Sequence, residues 1–182
     1  MSERLPYIAT QAALKYEGLR ALPVSVLLHN VRSLYNVGAF FRTAEAAACE
    51  KLYLCGITGP PTKPAVRKTA LGAEEQVAWE CHPDPAALLQ RLRSSGCEIA
   101  AIETSVHAVD LFDWKPSFPV CVLFGHEVDG LSPALLDLCD THVRIPMLGR
   151  KHSLNVATAG GIVIYELLRK YRAIREQSPG GA

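Results

Sequence analysis

The stretch of residues 119–169 reads PVCVLFGHEVDGLSPALLDLCDTHVRIPMLGRKHSLNVATAGGIVIYELLR, and it decides the fold. It contains two short apolar runs, residues 120–124 and 143–145, whose composition is typical of buried strands. A short helix is expected to begin near Pro133, and a long apolar helix follows from residue 154. A polar loop follows each of the two strands. Ligands of open α/β sheets bind outside the carboxyl ends of strands, so we expect the two loops to share one pocket.

The two loops contain the residue types that a small-molecule site needs. The first, residues 125–133, reads GHEVDGLSP, and its two glycines permit close approach of the main chain to a ligand. The second, residues 147–153, reads MLGRKHS and leads into the start of the apolar helix. Free amide hydrogens and the positive end of the helix dipole at that start favour a polar or anionic group. A plain N-cap also explains Ser153, and both interpretations can hold together.

The length and composition of the chain suit one domain. The chain has 182 residues, of which 49% are apolar, and we place the domain at residues 1–177. Residues 178–182 are predicted to be a disordered tail. The first residues lack the apolar core of a secretion signal, and no uncharged apolar run reaches the roughly 18–20 residues that a membrane span needs. We therefore expect a soluble, cytoplasmic protein that does not bind membranes.

The cysteines and histidines do not indicate a metal site or a disulfide framework. The chain has six cysteines, spread singly through apolar surroundings without a C-x-x-C pair: Cys49, Cys55, Cys81, Cys97, Cys121 and Cys139. Reduced and mostly buried thiols are the simplest interpretation. No set of His, Cys, Asp or Glu has metal-ligand spacing, so no metal is expected.

The charge of the chain is nearly balanced. Lysine and arginine number 19 against 18 acidic residues, which gives a formal net charge of +1. Proteins that bind nucleic acids usually have a basic surplus, so composition alone does not predict such a partner. Any RNA-binding face must come from local clusters, and each cluster is equally explained as a solvated surface. The candidates are Lys63, Arg67 and Lys68, then Arg150 and Lys151, then Arg169, Lys170, Arg172 and Arg175.

The order of predicted elements indicates an α/β fold. Strands are predicted at residues 24–28, 51–55, 76–79, 98–102, 120–124 and 143–145. Helices are predicted at residues 9–21, 37–49, 65–71, 84–95, near 133 and at 154–171. Asn36 is the predicted N-cap of the second of these helices, and Asp84 is that of the fourth. Residues 56–64 form a loop that either contacts a substrate or only connects, and residues 105–118 form an irregular cover over the core. This alternation favours a mainly parallel sheet with helices on both faces.

Three segments of the chain resemble the motifs of one enzyme family. The segment LFGHEVDGL at 123–131, then RIPM at 144–147 and SLNVA at 153–157, resemble the second and third motifs of the SpoU/TrmH-type RNA ribose 2'-O-methyltransferases. The segment NVGAFFRTA at 36–44 resembles the first motif. The resemblance implies S-adenosylmethionine as cofactor, an RNA substrate, a homodimer, and the deep C-terminal trefoil knot of the SPOUT superfamily. Small stand-alone members often act on tRNA, so tRNA is favoured over rRNA.

The resemblance also assigns the site residues. It implies that the following residues bind the cofactor: Leu123, Phe124, Gly125, Glu127, Gly130, Ile145, Pro146, Met147, Leu148, Ser153, Leu154 and Asn155. It implies that Asn36, Arg42, Glu127, Ser153 and Asn155 carry catalysis.

The chemistry of methyl transfer to a ribose limits what these residues can do. A 2'-hydroxyl is a poor nucleophile, and an arginine such as Arg42 remains protonated, so it is a poor base. We expect Arg42 to hold the ribose or an adjacent phosphate and to stabilise developing negative charge, while a phosphate oxygen or water takes the proton. Glu127 could orient Arg42 or the second loop. Asn36 and Asn155 could position polar groups, although a helix cap explains each equally well.

Other functions remain as alternatives. An ordinary doubly wound nucleotide-binding enzyme is disfavoured, because no G-x-G-x-x-G follows the first strand. A hydrolase triad is disfavoured, because Ser153 and His152 lack a third partner. His126 and His152 lie in the two loops, where acid–base or RNA contacts and simple exposure are both open. The main alternative is an RNA-binding protein that keeps this fold without catalysis.

Overall fold

Seven β-strands form one sheet in which every paired neighbour runs parallel. The structure is a computed structural model that describes residues 21–177. The predicted first helix, except for Ala21, and the predicted tail lie outside the described residues. The strands are β1 (Leu22–His29), β2 (Cys49–Cys55), β3 (Ala78–His82), β4 (Glu98–Ile102), β5 (Val109–Asp110), β6 (Val120–Phe124) and β7 (Thr141–Arg144).

The order of strands in the sheet is β3-β2-β1-β6-β4-β7-β5. The chain builds β1, β2 and β3 in one direction and then crosses over to build the other half of the sheet. β1 and β6 meet at the crossover, and their carboxyl ends, with those of β4 and β7, face one edge. Such an edge is where α/β proteins bind ligands. The predicted parallel sheet is therefore confirmed.

Helices cover both faces of the sheet, as predicted. They are α1 (Leu34–Ala46), α2 (Pro64–Ala70), α3 (Pro85–Ser94), α4 (Pro133–Leu136) and α5 (Val156–Gln177). Side chains of a strand alternate between the two faces. Val24, Val26 and Leu28 of β1 therefore pack with α1, α2 and α5, while Leu27 packs with α3 and α4. The sheet thus separates two apolar cores.

The predicted start of α1 was wrong by three residues. The helix begins at Leu34, and Ser33 is its N-cap, because the Ser33 Oγ accepts a hydrogen bond from the Asn36 backbone N at 3.3 Å. Asn36 therefore lies in the first turn and does not cap the helix. Its side-chain amide is left available for other partners.

The predicted start of α5 also needs correction. The helix begins at Val156, and Asn155 caps it, since the Asn155 Oδ1 accepts from the backbone N–H groups of Ala157 and Thr158 at 3.0 and 3.2 Å. Ser153 is thus not a cap, and it lies in the preceding loop. The cap interpretation of Asn155 is confirmed.

Most other boundaries agree with the predictions to within a few residues. Asp84 caps α3 as predicted, with its carboxylate accepting from the Ala86 backbone N at 2.8 Å. The third strand begins at Ala78, two residues later than predicted, because Ala73–Glu75 forms a 3-10 turn before it. In the described part of the chain, no helix combines the length and hydrophobicity that a bilayer crossing requires.

The segment of residues 105–118 covers the core, as predicted, and it adds an unpredicted edge strand. Two of its residues form β5, which pairs with β7. Trp114 is buried, and its indole N–H donates to the Glu98 carboxylate. The Lys170 ammonium of α5 donates to the carbonyl oxygens of Leu111 and Trp114. The segment is therefore tied to both the sheet and α5. The trefoil knot stays a prediction.

Candidate functional site

A cleft of about 390 Å³ lies at the carboxyl ends of β4, β6 and β7. Three chain segments form it, each beginning at the last residue of a strand: residues 102–104 from β4, residues 124–131 from β6, and residues 144–154 from β7. The first residues of α5 close one side. The two polar loops that the sequence singled out do share one pocket, as predicted.

The cleft combines apolar walls with acidic groups. Its apolar lining residues include Phe124, Ile145, Met147, Leu154 and Val156. Its acidic lining residues are Glu103, Glu127 and Asp129. An apolar slot with a few directed polar groups is the usual form of a small-molecule site. Arg144 also lines the cleft, but its guanidinium pairs with the Asp110 carboxylate, so the three lining carboxylates favour a ligand with positive charge.

Glu127 joins the loop after β6 to the start of α1. Its carboxylate accepts hydrogen bonds from the backbone N of Arg32 at 3.0 Å, the backbone N of Ser33 at 2.9 Å, and the Asn36 Nδ2 at 3.1 Å. Burial alone would raise the pKa of Glu127, but the donors from Ser33, Arg32 and Asn36 together outweigh it and lower the pKa. Glu127 is therefore ionised at neutral pH, with much of its acceptor capacity already used.

Asn36 continues this network to α5. The Asn155 Nδ2 donates to the Asn36 Oδ1 at 3.2 Å, while the Asn155 Oδ1 caps α5. Glu127, Asn36 and Asn155 thus form one chain of hydrogen bonds that links the loop after β6, the start of α1 and the start of α5. The structure brings together these three residues from the predicted catalytic set.

The loop after β6 depends on its two glycines for its own shape. His126 and Gly130 pair through reciprocal backbone hydrogen bonds, and Gly130 has a φ of 67°. A Cβ at Gly125 would lie 2.3 Å from the carbonyl carbon of Gly130. The tight turn therefore requires both glycines, independently of any ligand.

The sequence interpretation missed Glu103. This residue lines the cleft, and its carboxylate accepts from the backbone N of Thr104 at 3.0 Å and of Leu131 at 3.2 Å. It therefore holds the end of β4 against the loop after β6. Glu103 directly follows the predicted strand 98–102, so the rule that ligands bind at carboxyl ends of strands could have found it.

The predicted cofactor-binding residues fall into two groups. The cleft is lined by Phe124, Gly125, Glu127, Gly130, Ile145, Met147, Ser153 and Leu154. The remaining four do not line it. Leu123 is fully buried in the sheet, Leu148 is fully exposed, Pro146 lies in the loop between lining residues, and Asn155 faces Asn36.

Arg42 lies away from the cleft within a single chain. It is six residues after Asn36, which corresponds to about 9 Å along the axis of α1. Its side chain is exposed, it does not line the cleft, and within residues 21–177 no hydrogen bond or ion pair engages it. Arg42 is therefore available to a partner outside the described chain.

The thiols and potential metal ligands show no reactive arrangement in the described residues. All six cysteines are free, and burial raises the pKa of Cys55 and Cys139 to about 12. Such thiols stay protonated at neutral pH. No group of three or more His, Cys, Asp or Glu within residues 21–177 is arranged to hold a metal.

Comparisons with known sequences identify related proteins. The family described as "SpoU rRNA Methylase family" has a sequence model that matches residues 23–165. The tRNA (guanosine(18)-2'-O)-methyltransferase of Thermus thermophilus is 32% identical over 147 residues, which are 81% of this chain and 75% of that protein. The 23S rRNA (guanosine-2'-O-)-methyltransferase RlmB of Pseudomonas syringae is 31% identical over 154 residues, which are 85% of this chain. This chain spans only 61% of the length of that second relative.

Comparisons with solved structures agree. The AdoMet-bound rRNA methyltransferase from Sinorhizobium meliloti has a TM-score of 0.76 and 30% identity, and the match covers 80% of this chain and 56% of that chain. A structure described as giving insights into the 2-OH methylation of C/U34 on tRNA has a TM-score of 0.75 and 26% identity. The match covers 82% of this chain and 97% of that chain. Because the family model matches well over half of its length, the chain belongs to the SpoU rRNA Methylase family.

Proposed function

We propose that the protein transfers a methyl group from S-adenosylmethionine to a ribose 2'-hydroxyl of RNA. The observation that carries this proposal is the cleft with its Glu127–Asn36–Asn155 network, which is built from the three segments that resemble the family motifs. The relatives from T. thermophilus and P. syringae are named as 2'-O-methyltransferases, and the S. meliloti relative binds AdoMet.

The cleft fits the cofactor in size and in chemistry. Its volume of about 390 Å³ lies within the range of small-molecule pockets. Phe124, Ile145 and Leu154 provide apolar surface for an adenine, and Glu103 and Glu127 provide negative charge for a cationic ligand. S-adenosylmethionine supplies an electrophilic methyl group on positively charged sulfur, which keeps the electron pair of the broken C–S bond when the 2'-oxygen takes the methyl.

The residues of the chain position and polarise the reacting groups, and none of them acts as the nucleophile. Glu127 has three donors on its carboxylate, so it fixes the loop after β6 and the start of α1. Ser153 lines the cleft, and its hydroxyl has no partner among residues 21–177, so it can bind a ligand or the ribose. The proton of the 2'-hydroxyl leaves to a phosphate oxygen or to water, because arginine is a poor base.

The test measures cofactor binding and methyl transfer separately. Isothermal titration calorimetry with S-adenosylmethionine should show binding, and tritiated cofactor should label RNA at positions that resist alkaline hydrolysis, as 2'-O-methylated linkages do. Binding of RNA without binding of the cofactor would instead support the non-catalytic RNA-binding protein of the same fold.

We propose that Arg42 contacts the RNA substrate from its exposed position on α1. A guanidinium donates two parallel hydrogen bonds to a phosphate and stabilises negative charge. We predict that Arg42→Ala lowers methyl transfer at least about 100-fold, as loss of one such donor does in other enzymes. The affinity of the Arg42→Ala variant for S-adenosylmethionine should stay unchanged, because Arg42 does not line the cleft. Unchanged turnover would remove Arg42 from the mechanism, and Arg42→Lys tests whether charge alone is sufficient.

We propose tRNA as the substrate class. The match to the structure titled for tRNA C/U34 covers 97% of that chain, whereas RlmB, which is named for rRNA, is much longer than this chain. Methylation of purified total tRNA and of rRNA should be compared under the same conditions. Faster labelling of rRNA would contradict this proposal.

We propose that the protein is a homodimer that associates through the outward face of α5 around Gly161 and Tyr165. A glycine costs a helix about 1 kcal/mol relative to alanine. A Cβ at Gly160 would meet the Phe40 ring, but a Cβ at Gly161 would meet no atom of another element of residues 21–177 within 4 Å. The close approach of a second copy would explain the second glycine, and Tyr165 beside it is 50% exposed.

Light scattering coupled to gel filtration tests the dimer. Gly161→Arg should halve the mass, because the new side chain enters the contact without disturbing the interior of the chain. Ala134→Arg is the matched control, since Ala134 is exposed on the opposite face of the sheet. A monomer mass for the unmodified protein would contradict the proposal.

A further inference from the structure

A second cavity lies on the other side of the loop that follows β6. Its volume is about 290 Å³, and it is lined by His29, Asn30, Ile57, His126, Asp129 and Ser132. His126 and Asp129 line the first cleft too. The loop of residues 126–130 is therefore a shared wall between the two cavities.

His29 presents a neutral aromatic ring to this cavity. Burial lowers the pKa of His29, so the imidazole is uncharged at neutral pH. The Asn30 Oδ1 accepts from the Ile57 backbone N at 3.0 Å, so the Asn30 Nδ2 is the group that lies 3.2 Å from the His29 Nε2. Nε2 is thus the acceptor, and the proton of the neutral ring is on Nδ1. This N–H has no partner within residues 21–177.

The walls of the cavity are held in place before any ligand binds. Asn30 has a left-handed φ of 58°, which asparagine tolerates better than most residues, and this turns the chain directly after His29. The Thr58 hydroxyl donates to the Leu28 carbonyl oxygen at 2.9 Å and accepts from the Val31 backbone N at 3.1 Å. The ends of β1 and β2 are therefore fixed to each other on both sides of His29.

The chemistry of the cavity selects an uncharged, planar, polar-edged ligand. Its titratable lining groups are the neutral His29, His126 and the carboxylate of Asp129, so an anion such as phosphate is disfavoured. Ile57, which is 66% exposed, gives an apolar rim. One oxygen of the Asp129 carboxylate lies 2.9 Å from the His126 Nδ1, and this side chain is 81% exposed. The other carboxylate oxygen and the Ser132 hydroxyl can accept hydrogen bonds from amino groups. The volume is at the small end of the range for ligand pockets, about 300–1,000 Å³.

We propose that this cavity receives an unstacked nucleobase of the substrate RNA, which stacks on the imidazole of His29 and is read along its edge by Asp129 and Ser132. Proteins recognise single-stranded RNA through aromatic stacking and contacts to base edges. The proposal rests on the proposed function. The shared wall places the base close to the ligand of the first cleft, so the cavity contributes to the choice of the nucleotide.

Kinetics of His29 variants test the proposal. His29→Ala should raise the KM for RNA by about tenfold, within the effect of losing one stacked base, while kcat and the affinity for S-adenosylmethionine stay unchanged. His29→Phe keeps the stacking and should restore most of the KM. His107→Ala is the matched control, because His107 is an exposed histidine that lines neither cavity.

Two outcomes would overturn the inference. An unchanged KM in His29→Ala, with methyl transfer intact, removes the base from the cavity. A weakened affinity for S-adenosylmethionine assigns the cavity to the cofactor.

A second measurement does not depend on methyl transfer. The imidazole NMR signals of His29 should shift when the protein is titrated with the four uncharged nucleosides. Absence of a shift with all four overturns the inference. An enzyme that shows these shifts but methylates no RNA would instead refute the proposed function.

Discussion

At the scale of single residues, Glu127 holds the site together. Its carboxylate is hydrogen-bonded to the backbone at Arg32 and Ser33, which are more than 90 positions away in the sequence. Both backbone donors lie at the N-terminus of α1, where helices leave amide hydrogens without partners and favour negative charge. Glu127 therefore acts as a distant cap of α1, in addition to the local cap Ser33.

Glu127→Gln should destabilise the fold at neutral pH. The variant keeps the shape of the side chain but replaces charge-assisted hydrogen bonds with neutral ones. We expect the free energy of unfolding to fall by up to about 1 kcal/mol, a value that already allows for solvent screening of this exposed group. Because the pKa of Glu127 is lowered by folding, its stabilising contribution is complete above the ordinary value of 4.5 and is lost as the pH falls through the lowered pKa. Urea unfolding of both proteins should therefore differ at pH 7 and converge in acid.

Asp137→Asn provides a control for this comparison, since Asp137 is an exposed carboxylate at the end of α4 that lies outside the cleft. A difference between Glu127→Gln and the unmodified protein that persists unchanged at the lowest pH would show that the charge of Glu127 does not stabilise the fold.

The sequence predicted the chemistry of the site residues better than their directions. Polar residues in the loops after predicted strands identified Glu127 and Ser153 correctly as cleft residues. The direction in which the Arg42 side chain leaves α1 follows from helix geometry. Six residues at 3.6 per turn place it about 120° around α1 from Asn36, so the two side chains leave the helix in different directions. No hydrogen bond or ion pair within residues 21–177 fixes the direction of the exposed Arg42 side chain, so no contact of the fold could be read from the sequence for it.

At the scale of elements, α5 contacts segments of the fold that are far apart in the sequence. Its Val163, Ile164 and Leu167 are fully buried against β1 and α1, and Lys170 holds the segment before β6. Two adjacent glycines lie in its first half and have different surroundings. Gly160 is buried against the Phe40 ring, which itself packs at 5.0 Å from the Phe124 ring at the cleft.

Gly160→Ala should destabilise the protein through the Phe40 ring. The new Cβ would lie 2.2 Å from the Phe40 ring, so Phe40 must move within a closely packed core. Such overpacking costs about 1–3 kcal/mol, and the better helix propensity of alanine offsets about 1 kcal/mol of it, which leaves a net loss of up to about 2 kcal/mol. In a Phe40→Leu background, which removes the ring, the same change should become neutral or stabilising. Chemical unfolding of the four proteins measures this coupling.

An equal effect of Gly160→Ala in both backgrounds would show that Phe40 does not restrict this position. A contact from outside residues 21–177 would then explain the glycine, because helix propensity alone favours alanine.

Local sequence patterns predicted most helices and strands well, because the spacing of apolar residues along an element reflects which of its faces is buried. The strands β4 and β6 have the predicted bounds, since both are short apolar runs with a clear start and end. The bounds of α1 and α5 were shifted because more than one polar residue near each start could act as cap, and only the geometry decides among Ser33, Asn36, Ser153 and Asn155. The two-residue strand β5 carries no local signal, because its pairing with β7 alone defines it.

At the scale of the whole molecule, the distribution of charge matters more than the total. The net charge is only +1, so the proposed binding of RNA requires basic residues that are concentrated on one face. A parallel sheet has two distinct ends. Lys63 and Lys151 follow the carboxyl ends of β2 and β7, at the same end as the cleft. Lys115 lies at the opposite end, beside Glu98 and Thr141, which begin β4 and β7.

The last prediction compares these lysines in RNA binding. Each phosphate contact that is lost should reduce the slope of log affinity against log salt by about 1. Lys63→Ala and Lys151→Ala should each weaken RNA binding and lower the slope, because both residues are exposed at the cleft end of the sheet. Lys115→Ala removes the same charge from the other end and should change neither quantity. Fluorescence anisotropy at several salt concentrations measures both. If all three variants weaken binding equally, total charge determines the affinity, and the carboxyl end of the sheet is not the face that meets RNA.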